Sequence, residues 1–283
     1  MKSIEGTNGH EENLEGAAQD IVSSLLYDTN IYVVGVGGCG CNTVEYISKK
    51  EMTNVKTIGI NTDKNVLEYL DVDRQMLIGK DLMDGNGTGG DPNLGERAAR
   101  LNEEHILKAL DGAQMVIIVA GLGGGTGSGA SKVVADLARR NGKLVVSYMI
   151  MPFSIEGERH DAAKGHLEDI SLLSNTTTVF ENDKALIVAG KKPVSEAFQV
   201  ASKMLHKVVK RLKMDYIAEF FHEFGLDETN MSETLFEDEI EEDFQEIQKV
   251  EEPPVIDVAA AQFGGISAVI DKRLEQQVAH NGG

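Results

Sequence analysis

At 283 residues, with 41% apolar and 26% charged side chains, the chain has the length for a substantial buried core and an ordinary globular composition. A formal net charge of −19 sets most of the surface against a nucleic-acid phosphate backbone, and two cysteines, Cys39 and Cys41, are too few for a disulfide framework or a complete zinc site. No run reaches the length of a membrane span and the first residues lack a signal-peptide layout, so a cytoplasmic location is expected.

Residues 1–30 predict an extension with a short amphipathic helix carrying Leu14, Ile21, Leu25 and Leu26. Ile31–Val34 predicts the first strand, Gly35–Gly40 a glycine turn, and Asn42 to Lys49 a helix. A second strand is expected over residues 55–60, ending in Asn61-Thr62-Asp63, and a short third over residues 76–78. A loop rich in glycine follows from Asp84 to Asp91, then a helix from Pro92 to Leu110 and a strand from Met115 to Val119. Beyond the next glycine stretch come a helix over residues 131–140, a strand over 144–150, a helix over 158–173 and a late strand at Leu186-Ile187-Val188. A long helix is expected from Pro193 to Phe224, with Phe198, Ala201, Leu205, Val208, Val209 and Leu212 on one stripe. Strands that alternate with helices, and are nearly continuous in apolar residues, predict an α/β fold. Its core is a doubly wound parallel sheet with helices on both faces.

Past Gly225 the character changes. Residues 237–252 carry nine acids and one lysine, which suits a solvated linker. Phe236, Ile240, Phe244 and Ile247 nevertheless recur at helical spacing, so an acidic helix is equally consistent. Pro253-Pro254 ends this run. Ile266, Val269, Ile270, Leu274 and Val278 form a final amphipathic stripe that is expected to dock on protein. Only Lys272 and Arg273 are basic there, too thin a patch for anionic lipid.

The densest chemical signal is residues 121–129, where six of nine residues are glycine between a strand and a helix. Such a turn brings main-chain N–H groups and a helix N-terminus close to an anion. A flexible linker would not need that placement. Gly35–Gly40 also satisfies G-x-G-x-x-G, with Asp63 23 residues after Gly40, which alone reads as a weak dinucleotide fingerprint. Three glycine-rich loops exceed what a dinucleotide requires and match the three phosphoryl groups of a triphosphate. No G-x-x-x-x-G-K-[ST] occurs, so the phosphates would be held by backbone dipoles without a P-loop lysine. A nicotinamide-dependent oxidoreductase is disfavoured, since no catalytic pair for hydride transfer is evident.

GVGGCGCN (35–42), INTD (60–63), IG…GNGTGGDPNLG (78–95), AGLGGGTGSG (120–129), MPFSIEGERH (151–160) and ENDKAL (181–186) resemble, in order and spacing, the motifs of the tubulin/FtsZ GTPases. The resemblance covers residues 31–212 and implies a GTPase domain over 31–193, a long central helix with its following loop over 194–235, an acidic linker or helix over 236–254 and a C-terminal amphipathic segment over 255–283. It implies GTP or GDP as the ligand, with Mg2+ accompanying GTP. Gly37, Gly38, Cys39 and Gly40 would hold the diphosphate together with Gly123, Gly124, Gly125, Thr126, Gly127 and Ser128. Gly89 and Gly90 belong to the loop expected to sense the γ-phosphate. Glu156 would accept from the ribose hydroxyls and Arg159 would lie beside the nucleotide. Asn42 and Asn182 would face guanine and Phe198 would stack on it. Without the resemblance, Glu156 and Arg159 read as a surface ion pair and Phe198 as core.

Three departures from the family pattern bear on function. Ser202 stands where the family has the aspartate that reads guanine, so base selectivity is expected to weaken by about tenfold or more. The loop that completes catalysis in the next subunit is matched best by residues 225–231, where Asp227 fits the first acid but Asn230 stands at the second. Slow or partner-dependent hydrolysis follows as an expectation, because an amide orients water without taking up a proton. The family's second domain is also expected to be missing or reduced, as 48 residues follow Leu235. Expected partners are guanine nucleotide and either a second copy or a full-length FtsZ-like relative, with membrane contact only through a partner. A non-hydrolysing regulator of such a relative's filaments is the alternative reading.

Overall fold

The computed structural model describes residues 30–50, 52–189 and 194–223. Among the described residues, six strands form one parallel sheet in the order β3-β2-β1-β4-β5-β6. They are β1 Ile31–Val36, β2 Val55–Asn61, β3 Arg74–Leu77, β4 Met115–Gly121, β5 Leu144–Met151 and β6 Thr176–Glu181. The helices are α1 Gly37–Ser48, α2 Lys64–Glu68, α3 Lys80–Met83, α4 Pro92–Arg100, α5 Glu103–Ala109, α6 Gly125–Arg140, α7 Glu158–Ser171, α8 Asn182–Ala189 and α9 Val194–Glu223.

The two faces of the sheet bury two separate cores, and the central strands feed both by alternation. Tyr32, Val34 and Val36 of β1, with Val116, Ile118 and Ala120 of β4, join Ala98, Ile106, Val133, Val134 and Ile170 from α4 to α7. Ile31, Val33, Met115, Ile117 and Val119 point the other way, against Val44 and Ile47 of α1, Ala185 of α8 and Ala201, Leu205 and Val209 of α9. This double burial explains why the strands read as continuous apolar runs. The chain runs outward through β2 and β3, then returns across α3–α5 to place β4 on the other side of β1. The resulting switch point between β1 and β4 opens a crevice at the strand C-termini, where open α/β sheets bind ligands.

Four sequence expectations are corrected. Leu186-Ile187-Val188 is not a strand but part of α8, and the strand is the preceding Thr176–Glu181. The helix expected from Pro92 to Leu110 is two helices broken at Leu101 and Asn102, where the Asn102 side chain donates to Ala98 O at 2.8 Å. α1 begins at Gly37 rather than Asn42, and α6 at Gly125 rather than Ser131. Much of the two glycine turns is therefore the first turn of a helix. The N-terminal helix, the acidic run and the C-terminal stripe lie outside the described residues.

α9 descends from the binding rim along the second core. The Tyr148 hydroxyl of β5 donates to Ala201 O at 3.0 Å. Five residues on, the His206 ring meets Tyr46, near the far end of α1, with ring centroids 6.3 Å apart.

Candidate functional site

The site is built at the C-terminal ends of β1 and β4, where α1 and α6 begin. Val36 and Gly124 precede the two helices in extended conformation, and neither helix has a side-chain cap. Both first turns thus direct uncapped N–H groups and positive dipole ends toward the crevice.

The glycines of these turns divide into two kinds. A Cβ on Gly40 would strike the Val119 carbonyl oxygen, one on Gly127 the Gly121 carbonyl oxygen, and one on Gly37 would lie 2.8 Å from Gly127 N. These positions are bare because two pieces of backbone touch there. Gly38, Gly89 and Gly90 differ, since a Cβ on any of them meets no atom within 4 Å. On Gly124 the nearest atom is 4.0 Å away. The open glycines share the rim with the tightly packed ones and leave space that a ligand can occupy at main-chain distance.

The loop from Asp84 to Asp91 closes the third side. Its base is pinned to the end of β2, with Lys64 N donating to Gly85 O at 3.0 Å and Gly87 N to Thr62 O at 3.2 Å. Its far end abuts α6, so that a Cβ on Gly125 would strike Thr88 Oγ1 and lie 2.7 Å from Asp91 O. Thr62 Oγ1 and Thr126 Oγ1 are 2.7 Å apart and both residues are buried. Thr62, the third residue of INTD, thus joins the end of β2 to the α6 turn. Ser128 Oγ accepts from Gly123 N at 2.9 Å, so this hydroxyl braces the turn itself.

Glu156 and Arg159 are indeed an ion pair, 2.6 Å apart, but not an isolated one. Arg159 Nε donates to Gly123 O at 3.1 Å and Glu156 Oε1 accepts from Phe153 N at 2.8 Å. The pair therefore ties the segment after β5 to the glycine turn after β4. Asp183, absent from the sequence candidates, accepts from Ser154 N at 2.9 Å and Ser154 Oγ at 3.1 Å, holding the same segment to α8. Nothing in its spacing marks it.

Asn182 is 7% exposed, and its Oδ1 has no hydrogen-bond partner among the described residues. A buried amide oxygen in that state costs about 1–3 kcal/mol, which a ligand N–H can recover. Ser202 is also buried, on α9 next to Ala201, whereas Asn42 is exposed on α1. Phe198 lies on α9, but its side chain is outside the described residues, as are Asp227 and Asn230 altogether. The structure thus gathers the glycines, Thr126, Ser128, Glu156 and Arg159 into one connected rim.

Cys39 sits in the first turn of α1. The residue is exposed at the crevice, but its sulfur lies against Gly121, where a Cβ would come within 2.7 Å of it. Burial of the thiol pushes its pKa up to about 11, and that of Cys41 up to about 12. Alkylation by iodoacetamide at neutral pH is expected to run about a hundredfold slower at Cys39 than at a solvated thiol, and to accelerate as pH rises. Mass spectrometry of the labelled chain checks this, and labelling at the ordinary thiol rate would contradict it.

Residues 30–190 match the Tubulin/FtsZ family, GTPase domain. "Cell division protein FtsZ 1" of Pyrococcus furiosus is 46% identical over 220 residues, covering 74% of this chain and 59% of that protein. "Cell division protein FtsZ" of Methanothermobacter thermautotrophicus is 43% identical over 181 residues, covering 64% and 48%. Among solved structures, an FtsZ dimer from M. jannaschii superposes with a TM-score of 0.63 at 36% identity, over 74% of this chain and 59% of that one. The chain spans about half the length of the curated relatives it matches, from 48% to 59% of each. The six-strand order, the converging glycine turns and a family match over more than half of the sequence lead to one conclusion: the chain belongs to the tubulin/FtsZ family, through its GTPase domain.

Proposed function

We propose that the crevice binds GTP and GDP, and that the protein hydrolyses GTP slowly, or only when a second subunit completes the site, in a cell-division or cell-shape cytoskeleton. The observation that carries this reading is the set of open glycines, Gly38, Gly89, Gly90 and Gly124, around two uncapped helix N-termini. Backbone N–H groups there neutralise phosphate charge without a lysine. Thr126 supplies a further hydroxyl, Glu156 receives the ribose, and the Asn182 amide oxygen accepts from the base. Mg2+ would come on the triphosphate oxygens, with the hard carboxylates of Asp63 and Asp91 at the same rim.

The direction of α9 supports dependence on a second subunit. At 1.5 Å per residue, the stretch from His206 to Glu223 carries the chain roughly 25 Å further from the rim. Asp227 is four residues beyond Glu223 in the sequence, a separation that suits delivery to a neighbour's γ-phosphate better than to its own. Asn230 supports the second reading, a regulator of a relative's filaments, because an amide there orients water without accepting its proton.

Protein stripped of small molecules should bind GTP and GDP with affinity measurable by calorimetry. Sedimentation with each nucleotide, with and without a full-length relative, should show GTP-dependent assembly together with phosphate release. Absence of binding at millimolar nucleotide ends the proposal. Turnover without any dependence on concentration or partner removes the in-trans mechanism alone.

A further inference from the structure

We propose that residues 236–247 fold back as an acidic amphipathic helix onto the outward face of α9. The inner face of that helix is settled, with Ala201, Leu205, Val209 and Tyr216 buried in the second core. The outward side carries two adjacent stripes at four-residue spacing. Gln199, Lys203, Lys207 and Arg211 are exposed, while Val200, Met204, Val208 and Leu212 are only partly buried. Residues 203–213 hold five cations and no acid in a chain of net charge −19. Arg211 pairs with Asp215 at 2.7 Å, whereas Lys203 and Lys207 form no ion pair among the described residues. A face both cationic and half apolar is an incomplete interface, because neither stripe gains its full stabilisation in water.

Residues 236–247 carry the complementary pattern. They hold seven acids and no base, and Phe236, Ile240, Phe244 and Ile247 form a stripe at helical spacing. Acids stand on both flanks of that stripe, at Glu237 and Glu241 on one side and Glu239, Asp243 and Glu246 on the other. Lengths agree as well. The stretch from Val200 to Leu212 rises about 18 Å and the stretch from Phe236 to Ile247 about 17 Å. An antiparallel pairing must return about 17 Å from Glu223 to Leu212, and the twelve linking residues can span up to about 40 Å. Tethering holds the segment at millimolar effective concentration, which favours it over any free partner. The hairpin loop would then be residues 224–235, presenting Asp227 at the end of the molecule away from the glycine rim.

The parent chain has no tryptophan, so Phe244→Trp in the full chain supplies a single indole reporter independent of nucleotide. Its emission at low salt should be that of an apolar setting. It should move to the solvent-exposed maximum in 1 M salt and in the Lys203→Glu/Lys207→Glu/Arg211→Glu variant, whose thermal melt should otherwise match the parent. Carbodiimide should join Lys203 or Lys207 to acids within residues 237–246, inside one chain and at a yield independent of protein concentration. The triple reversal should abolish these links. An indole that is solvent-exposed throughout, or apolar but indifferent to charge reversal, overturns the proposal. Links between two chains, or to Asp271 and Glu275 of the C-terminal stripe, assign the face to another occupant and overturn it equally.

Discussion

Gly38→Ala is expected to fold at least as stably as the parent and to lose nucleotide affinity by about a hundredfold. Gly38 lies in the first turn of α1 without positive φ, and its Cβ position is open. Alanine there removes the helix penalty of glycine, up to about 1 kcal/mol. The same methyl occupies the space where a phosphate oxygen would approach the main chain. A clash of about 3 kcal/mol, within the usual range for overpacking, corresponds to two decades of affinity. Gly127→Ala is the control of opposite sign. Its methyl would strike the Gly121 carbonyl oxygen, and neither backbone can yield without separating α6 from β4. Destabilisation of about 3 kcal/mol or more is expected. Paired thermal melts and GDP titrations test both variants. A stable Gly38→Ala protein that binds GDP like the parent would move the phosphates away from α1.

The contrast between these glycines shows where sequence reasoning reached its limit. Strand–helix alternation and the apolar strands were legible, because a sheet covered on both faces needs continuous apolar strands and the central β1, β4 and β5 supply them. β6 was hidden because Thr176, Thr177 and Thr178 make a polar edge strand without an apolar run. The compact Leu186-Ile187-Val188 run looked like a strand, since three residues cannot separate a period of two from one of 3.6. Glycine's poor helix propensity concealed that α1 and α6 start inside the glycine turns, a conformation that tertiary contact imposes. The same residue type was conspicuous as a candidate ligand cradle, yet sequence alone could not separate Gly40 and Gly127, which exist for backbone contact, from Gly38 and Gly124, which face open space. The Thr62–Thr126 contact and the Asp183 clasp join residues 64 and 29 positions apart. Nothing in local spacing encodes such pairings.

Ser202→Asp is expected to sharpen discrimination of GTP against ATP by tenfold or more, at the expense of the nucleotide-free protein. Ser202 is buried on α9, beside the carbonyl held by Tyr148. A neutral hydroxyl there is inexpensive without ligand, but it would accept from the N–H edge of guanine more weakly than a carboxylate would. Exchanging a neutral for a charge-assisted bond changes affinity by roughly 1–2 kcal/mol. The same carboxylate, buried without a partner, costs the empty protein about 1–3 kcal/mol and has its pKa raised by desolvation. The folded state then binds more protons than the unfolded one, so the deficit should shrink as pH falls toward 4. The variant should therefore melt lower than the parent when empty and gain more from GTP. ATP should provide no added protection, because adenine presents an acceptor where guanine has an N–H. Thermal shifts with both nucleotides at pH 5 and pH 7.5 separate these effects. Equal gains from GTP and ATP in parent and variant alike would place Ser202 off the base-reading edge and leave Asn182 as the residue that recognises it.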